Sequence, residues 1–186
     1  MSKALDSGDA IRNHYAEQGV KEYYKTHGAE YQNPHFEQVK QLLQQNEYRI
    51  DYQNVLDFCC GSGEVSQVIQ ELGFPLPTAS DPFTGDAYFQ RFDKTCLPHS
   101  FEAVIKGHLS GNFSSIICSF AMHLCPTKAL FPLAYQLFQC SPQLVIITPH
   151  KRPDLSLFSG IQLEFEDDTL TERGKKVRLR AYRSTF

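Results

Sequence analysis

Asn54-Val55-Leu56-Asp57-Phe58-Cys59-Cys60-Gly61-Ser62-Gly63-Glu64-Val65-Ser66 is the stretch on which the fold turns. Its apolar run, Val55 to Cys60, is followed by two glycines separated by one residue and then by a helix-compatible segment from Glu64 to Leu72. That order predicts strand, tight turn and helix, the opening unit of a nucleotide-type α/β fold. Glycine at 61 and 63 admits dihedrals closed to other residues and lets a ligand approach the main chain without a Cβ in between. A ligand held there would sit at the helix N-terminus. Asp57, at the strand end, discriminates among ligands. It would repel a pyrophosphate, since like charges about 4 Å apart cost about 4 kcal/mol at an effective dielectric of about 20. An ammonium or sulfonium group would be attracted.

Outward from this unit the chain alternates strand and helix signals. Thr78 to Ser80 is a short strand ending at Asp81, Thr84 to Phe92 is helix-compatible, Leu97 to Ser100 is a brief strand, and Phe101 to His108 a helix. Phe113 to Phe120 and Leu144 to Thr148 are strands flanking a helix from Ala129 to Phe138 that accommodates Pro132. Such alternation implies right-handed crossovers and a parallel sheet. After Pro149 too few residues remain for a crossover helix before Ile161 to Phe165. Val177 to Tyr182 then alternates apolar with polar residues, so the chain closes on an antiparallel hairpin.

On the N-terminal side, Asp9 to Gln18 and Val20 to His27 are helix-compatible pieces parted by Gly19. Asn33-Pro34 predicts a helix start, with Asn as N-cap and Pro in the first helical position. Phe36, Val39, Leu42 and Leu43 supply its apolar face. The whole chain is expected to be one domain, with residues 1–45 as a helical cap on a core of residues 50–186.

With 186 residues and a formal net charge of -3, nothing drives the chain generally towards nucleic acid or membrane. There is no apolar run long enough to span a bilayer and no signal-peptide core in the first residues, so a cytosolic protein is expected. Cysteines 59, 60, 96, 118, 125 and 140 form no paired C-x-x-C knuckles, which predicts reduced thiols acting as small hydrophobes and no metal site.

Asp57-x-Cys59-x-Gly61-x-Gly63 resembles the first motif of class I S-adenosylmethionine-dependent methyltransferases, acidic-x-Gly-x-Gly-x-Gly, with Cys59 standing where the first glycine usually is. The terminal hairpin resembles the end of the same family's sheet, so the likeness covers Asn54 to Ser184. It implies a Rossmann-like, mostly parallel seven-stranded sheet. It also implies S-adenosyl-L-methionine as methyl donor and S-adenosyl-L-homocysteine as product. Carried over position by position, Asp57, Cys59, Gly61, Ser62 and Gly63 would form the cofactor loop. Asp81 would accept the ribose hydroxyls, Pro82 and Phe83 would wall the adenine, Ser100 and Phe101 would lie at the adenine amino group, and Ser119 and Phe120 would face the methyl group. The Tyr-Tyr and Tyr-x-Asn-Pro-His run of the arm, Ser119 to Leu124, and Thr148 to Pro153 together resemble small methyltransferase-like proteins of photosynthetic eukaryotes.

Methyl transfer is an in-line displacement at an already activated carbon, so such a protein chiefly aligns reactants and excludes water. A base is needed only for an acceptor that arrives protonated. His123 and His150, each just beyond a strand, are the candidates for that role, and Tyr24, Tyr31 and His35 on the arm are candidates for lid or substrate contacts. Lys151 and Arg152 read first as a solvated turn, and alternatively as a pair that could attract an anionic substrate. Ser119-Phe120-Ala121-Met122 stands where a nucleic-acid amino-methyltransferase carries an Asn/Asp-Pro-Pro-aromatic run, so a small molecule or a protein side chain is the expected acceptor. An NAD-dependent oxidoreductase would have to tolerate Asp57, and the chain shows no second mononucleotide half after Asp81. A non-catalytic binding or scaffold protein on the same fold stays open.

Overall fold

The computed structural model describes residues 33–186. The helix-compatible pieces at 9–18 and 20–27, and the candidates Tyr24 and Tyr31, lie outside the described residues. Seven strands make one sheet: β1 (Val55–Phe58), β2 (Thr78–Ser80), β3 (Cys96–Leu97), β4 (Ser115–Ser119), β5 (Leu144–Thr148), β6 (Ile161–Leu170) and β7 (Lys176–Ser184). Their order is β3-β2-β1-β4-β5-β7-β6. The first five pair in parallel, and β7 is antiparallel to both β5 and β6. β1 and β5 are buried on both faces, which is why their sequences read as near-continuous apolar runs.

Among the described residues five helices cover the sheet: α1 (Phe36–Gln45), α2 (Glu64–Glu71), α3 (Gly85–Phe92), α4 (Phe101–Ile105) and α5 (Thr127–Phe138). Side chains alternate between the two faces with the period of the strand. Leu56, Ile116 and Ile146 meet Val104 of α4 and Leu133 and Leu137 of α5. Val55, Ile117 and Val145 meet Val39, Leu42 and Leu43 of α1 and Val68 and Ile69 of α2. Tyr88 of α3 covers Ala79 at the β2 edge. Between β5 and β6 the chain makes only a 3-10 turn, Leu155–Leu157, so no crossover helix forms there.

Several boundaries differ from the sequence expectation, and four of the differences have a local reason. α1 begins at Phe36 rather than at Pro34, because the Asn33 side chain accepts from His35 N at 2.9 Å and folds residues 33–35 into a turn ahead of the helix. β3 is confined to Cys96–Leu97, since Ser100 serves as N-cap of α4 and accepts from Ala103 N. β4 stops at Ser119 because Phe120 takes a left-handed backbone, φ 57°. β6 runs on to Leu170, carrying Glu166 and Asp168 as strand residues. Their charges face cations of β7, with Arg180 paired to Glu166 and Lys176 to Asp168.

Candidate functional site

The carboxyl ends of β1, β2, β4 and β5 lie side by side, the edge at which open α/β sheets hold ligands. Beyond β1 the chain turns through three left-handed residues, Cys59 (φ 58°), Gly61 (φ 56°) and Gly63 (φ 93°). The two glycines do different work. A Cβ on Gly61 would meet nothing nearer than Glu64 Oε2 at 3.7 Å, so its face is open. A Cβ on Gly63 would fall 2.4 Å from Phe92 and 2.9 Å from Tyr88, so this glycine serves the close packing of α3 on the loop. Ser62 is buried and its hydroxyl donates to Glu64 Oε1 at 2.9 Å. The carbonyl of Ser62 accepts from Arg91 of α3 at 3.0 Å.

Asp57 does not present its carboxylate to a ligand. It is 1 % exposed and its Oδ2 accepts from Ser66 N at 3.1 Å and Ser66 Oγ at 2.7 Å, tying β1 to the first turns of α2. Tyr88 donates to the same Ser66 hydroxyl at 3.0 Å, completing a buried chain from α3 to β1. Loss of hydration pushes the Asp57 carboxyl up to about 7; Ser66 opposes the rise and the neighbouring Glu64 and Asp81 add to it. The Asp57 carboxylate therefore bonds inward to α2 and fixes the loop that follows β1. Asp81 is differently placed. Its Oδ2 accepts from Gly61 N at 3.2 Å, and its Oδ1 from Phe83 N at 2.8 Å and Thr84 N at 3.2 Å. A carboxylate offers about four acceptor positions, so Asp81 keeps room for roughly one further bond rather than the two expected of it. Burial raises its carboxyl above the ordinary range against the pull of those amides.

Around these carboxylates stand the remaining candidates. Pro82 is half-buried and Phe83 is exposed beside Asp81. Ser100 Oγ accepts from Ala103 N as the α4 cap, which leaves its O–H free to donate, and Phe101 packs inward with its ring 6.0 Å from that of Phe58. Ser119 Oγ, at the end of β4, is buried without a hydrogen-bond partner. Phe120 follows it in the left-handed conformation, and His35 stacks on its ring at 5.0 Å and 8°. Burial, then the charge of Lys175, lowers the His35 pKa, so its imidazole is neutral near pH 7. His123, in the 3-10 turn Met122–Leu124 after β4, and His150, just after β5, are brought together with ring centroids 4.4 Å apart. Two of the three non-glycine residues with positive φ among those described, Cys59 and Phe120, thus flank this edge, where strained backbone is characteristic of ligand sites.

Sequence reasoning missed Glu64, Arg91 and Arg180. Glu64 is 8 % exposed and faces Gly61, yet an acid in the first turn of a helix is ordinary and gave no signal. Arg91 and Arg180 occur in unremarkable polar positions of α3 and β7. All six cysteines are free; the sulfurs of Cys60 and Cys96 lie 3.6 Å apart. Among the described residues no group of three or more potential ligands could hold a metal ion, and no helix is long and apolar enough to cross a membrane. A concavity of about 330 Å³ lined by Tyr48, Arg49, Gln143 and Arg183 opens at the opposite, amino end of the sheet and has no part in this arrangement.

No protein-family model matches the chain. It is 33 % identical over 192 residues to an uncharacterized protein of Schizosaccharomyces pombe, covering 78 % of this chain and 77 % of that one. Among solved structures, the magnesium protoporphyrin IX methyltransferase of Synechocystis with bound S-adenosylmethionine superposes with a TM-score of 0.66 at 17 % identity, over 99 % of this chain and 100 % of the other. The N-methyltransferase NodS of Bradyrhizobium japonicum, in complex with S-adenosylhomocysteine, gives a TM-score of 0.64 at 11 % identity, over 96 % and 98 %. The architecture is therefore the Rossmann-like class I methyltransferase fold.

Proposed function

We propose, for a chain that belongs to the same family as the Schizosaccharomyces pombe protein and carries the class I methyltransferase fold, that it is an S-adenosylmethionine-dependent methyltransferase of the cytosol. Its acceptor is a small molecule or a protein side chain. The resemblance of the arm and strand ends to methyltransferase-like proteins of photosynthetic eukaryotes belongs to the same proposal. The observation that carries it is the geometry after β1. Left-handed Cys59, Gly61 and Gly63 fold the loop back onto Asp81, and Gly61 leaves an open face beside the buried acids Asp57 and Glu64. The partnerless Ser119 hydroxyl at the next strand end supports a polar ligand there as well. These features fit a cationic adenosyl compound and disfavour a dinucleotide pyrophosphate.

When bound, S-adenosylmethionine would supply a methyl group already activated by its sulfonium. Gly61 and the acids around it would hold the amino-acid end, Asp81 a ribose hydroxyl, Pro82 and Phe83 the adenine, and Ser119 and Phe120 the region of the methyl group. An aromatic face near a sulfonium contributes about 1 kcal/mol. His123 and His150 are the groups that would take a proton from a protonated acceptor, at an imidazole nitrogen.

A second reading, a protein that binds the adenosyl compound without transferring from it, rests on the same loop geometry. Calorimetry with S-adenosylmethionine, S-adenosylhomocysteine and NAD tests the binding itself. Both adenosyl compounds are expected to bind, NAD is not, and Asp81→Ala is expected to weaken binding by about 1.5–3 kcal/mol. Preference for NAD, or no binding of either class, removes the proposal. Methyl incorporation from labelled donor into a cell extract separates the two readings that remain.

A further inference from the structure

The segment after β5 holds a set of cations that the cofactor reading leaves unused. Lys151 and Arg152 are both exposed, directly after His150. Arg178 of β7 stands opposite Thr148, the last residue of β5, in the antiparallel ladder. Among the described residues none of these three side chains makes an ion pair or hydrogen bond.

The neighbouring carboxylates are engaged elsewhere. Asp168, opposite Arg178 on β6, is paired with Lys176 at 2.8 Å. Asp154 accepts from Ser156 N at 3.1 Å, Ser156 Oγ at 2.7 Å and Tyr182 Oη at 3.4 Å. Glu166 is paired with Arg180.

Arg180 also fixes the backbone that carries these charges. It is 8 % exposed, and its Nη1 donates to Lys151 O at 2.8 Å and Pro153 O at 3.3 Å. Those carbonyls are drawn towards β7, and the Lys151 and Arg152 side chains are left in solvent beside the His123–His150 pair. A solvated turn would not require a buried arginine on its carbonyls.

The carboxyl edge of the sheet is consequently polarised. Acids gather at the ends of β1 and β2, and cations with imidazoles at the ends of β4 and β5. From this we propose that the methyl acceptor is a small molecule bearing an oxyanion, a phosphate or a carboxylate, held by Lys151, Arg152 and Arg178 next to His123 and His150. Opposite charge at the two poles would orient a cationic donor and an anionic acceptor towards each other. This rests on the methyltransferase reading of the same edge, but its test does not.

The test is a titration of the full chain, labelled with 13C in its histidine rings, with inorganic phosphate, with acetate, and with chloride at matched ionic strength. Phosphate or acetate should shift the His123 and His150 resonances saturably. In Lys151→Ala/Arg152→Ala the midpoint should rise at least tenfold, and in the distant control Lys94→Ala it should not change. Shifts that do not saturate, that chloride reproduces, or that persist unchanged in the double variant overturn the proposal. S-adenosylmethionine binding, measured on the same proteins, should be equal in wild type and double variant. A wild type that binds phosphate at this rim but no adenosyl compound would sink the methyltransferase reading, and with it the acceptor role, leaving an anion site only.

Discussion

Replacing Asp57 by Asn separates what this carboxylate does for the fold from what it does for a ligand. The group is enclosed on all sides, and its pKa rises from 3.8 to about 7, first through desolvation, against the hydrogen bonds from Ser66 and with added repulsion from Glu64 and Asp81. Because the folded-state value lies above the unfolded one, the folded protein holds this proton more tightly. The contribution to stability is complete below about pH 4, is lost as the pH rises to about 7, and stays lost above that. Each pH unit of that interval is worth 1.36 kcal/mol, so ionising Asp57 inside the fold costs about 4 kcal/mol as an upper figure. Asparagine keeps an oxygen for Ser66 and carries no charge. Asp57→Asn should therefore be more stable than the wild type by about 2–4 kcal/mol at pH 8, with the difference shrinking to about 1 kcal/mol at pH 4.5 and to near zero only below about pH 4. Urea unfolding of both proteins across that range measures it. The same substitution should weaken S-adenosylmethionine binding, more at pH 8 than at pH 6, since only an ionised Asp57 attracts the cation. A stability difference that does not change between pH 5 and pH 8.5, or a wild type that gains on the mutant as pH rises, refutes the reasoning.

The two glycines should respond unequally. Gly63→Ala forces a Cβ against Phe92 and Tyr88 at a left-handed residue and should cost about 2–4 kcal/mol of stability, whereas Gly61→Ala makes only an ordinary contact with Glu64 and should cost about 1 kcal/mol. Equal urea midpoints for the two would show that the packing of α3 does not depend on position 63. At Cys59, φ 58° favours glycine, so Cys59→Gly should be more stable than Cys59→Ala by about 1 kcal/mol. Indistinguishable midpoints would mean that no backbone strain resides there.

The architecture was legible because its decisive elements are buried on both faces. Val55 to Phe58 and Leu144 to Thr148 can be little else than central parallel strands, and Gly61 with Gly63 marks the turn between strand and helix. What could not be read was the direction of side chains at the strand ends. Asp57, two residues from a tight turn, looks the same in sequence whether its carboxylate points out or, as here, back to Ser66. Ser100 similarly gave no sign in sequence that it caps a helix, since that role appears only once α4 starts at Phe101. His123 and His150 were chosen separately for their positions after strands; their ring contact follows from β4 and β5 being neighbours. Arg180 was read as the polar half of an alternating strand. Insertion of β7 between β5 and β6 buries that half too, and this depends on long-range strand order that no local pattern encodes.

That insertion reverses the order in which the sheet can be completed. β6 reaches the other strands only through β7, so the segment made earlier must wait unpaired until the later one arrives. A strand of ten residues left waiting is a template for wrong partners. Glu164, Glu166, Asp167 and Asp168 give it four negative charges in five residues, which repel another copy of itself. The same charges then meet Arg183, Arg180 and Lys176 on the correct neighbour. One run of acids thus guards the unfinished edge and afterwards selects the strand that closes it.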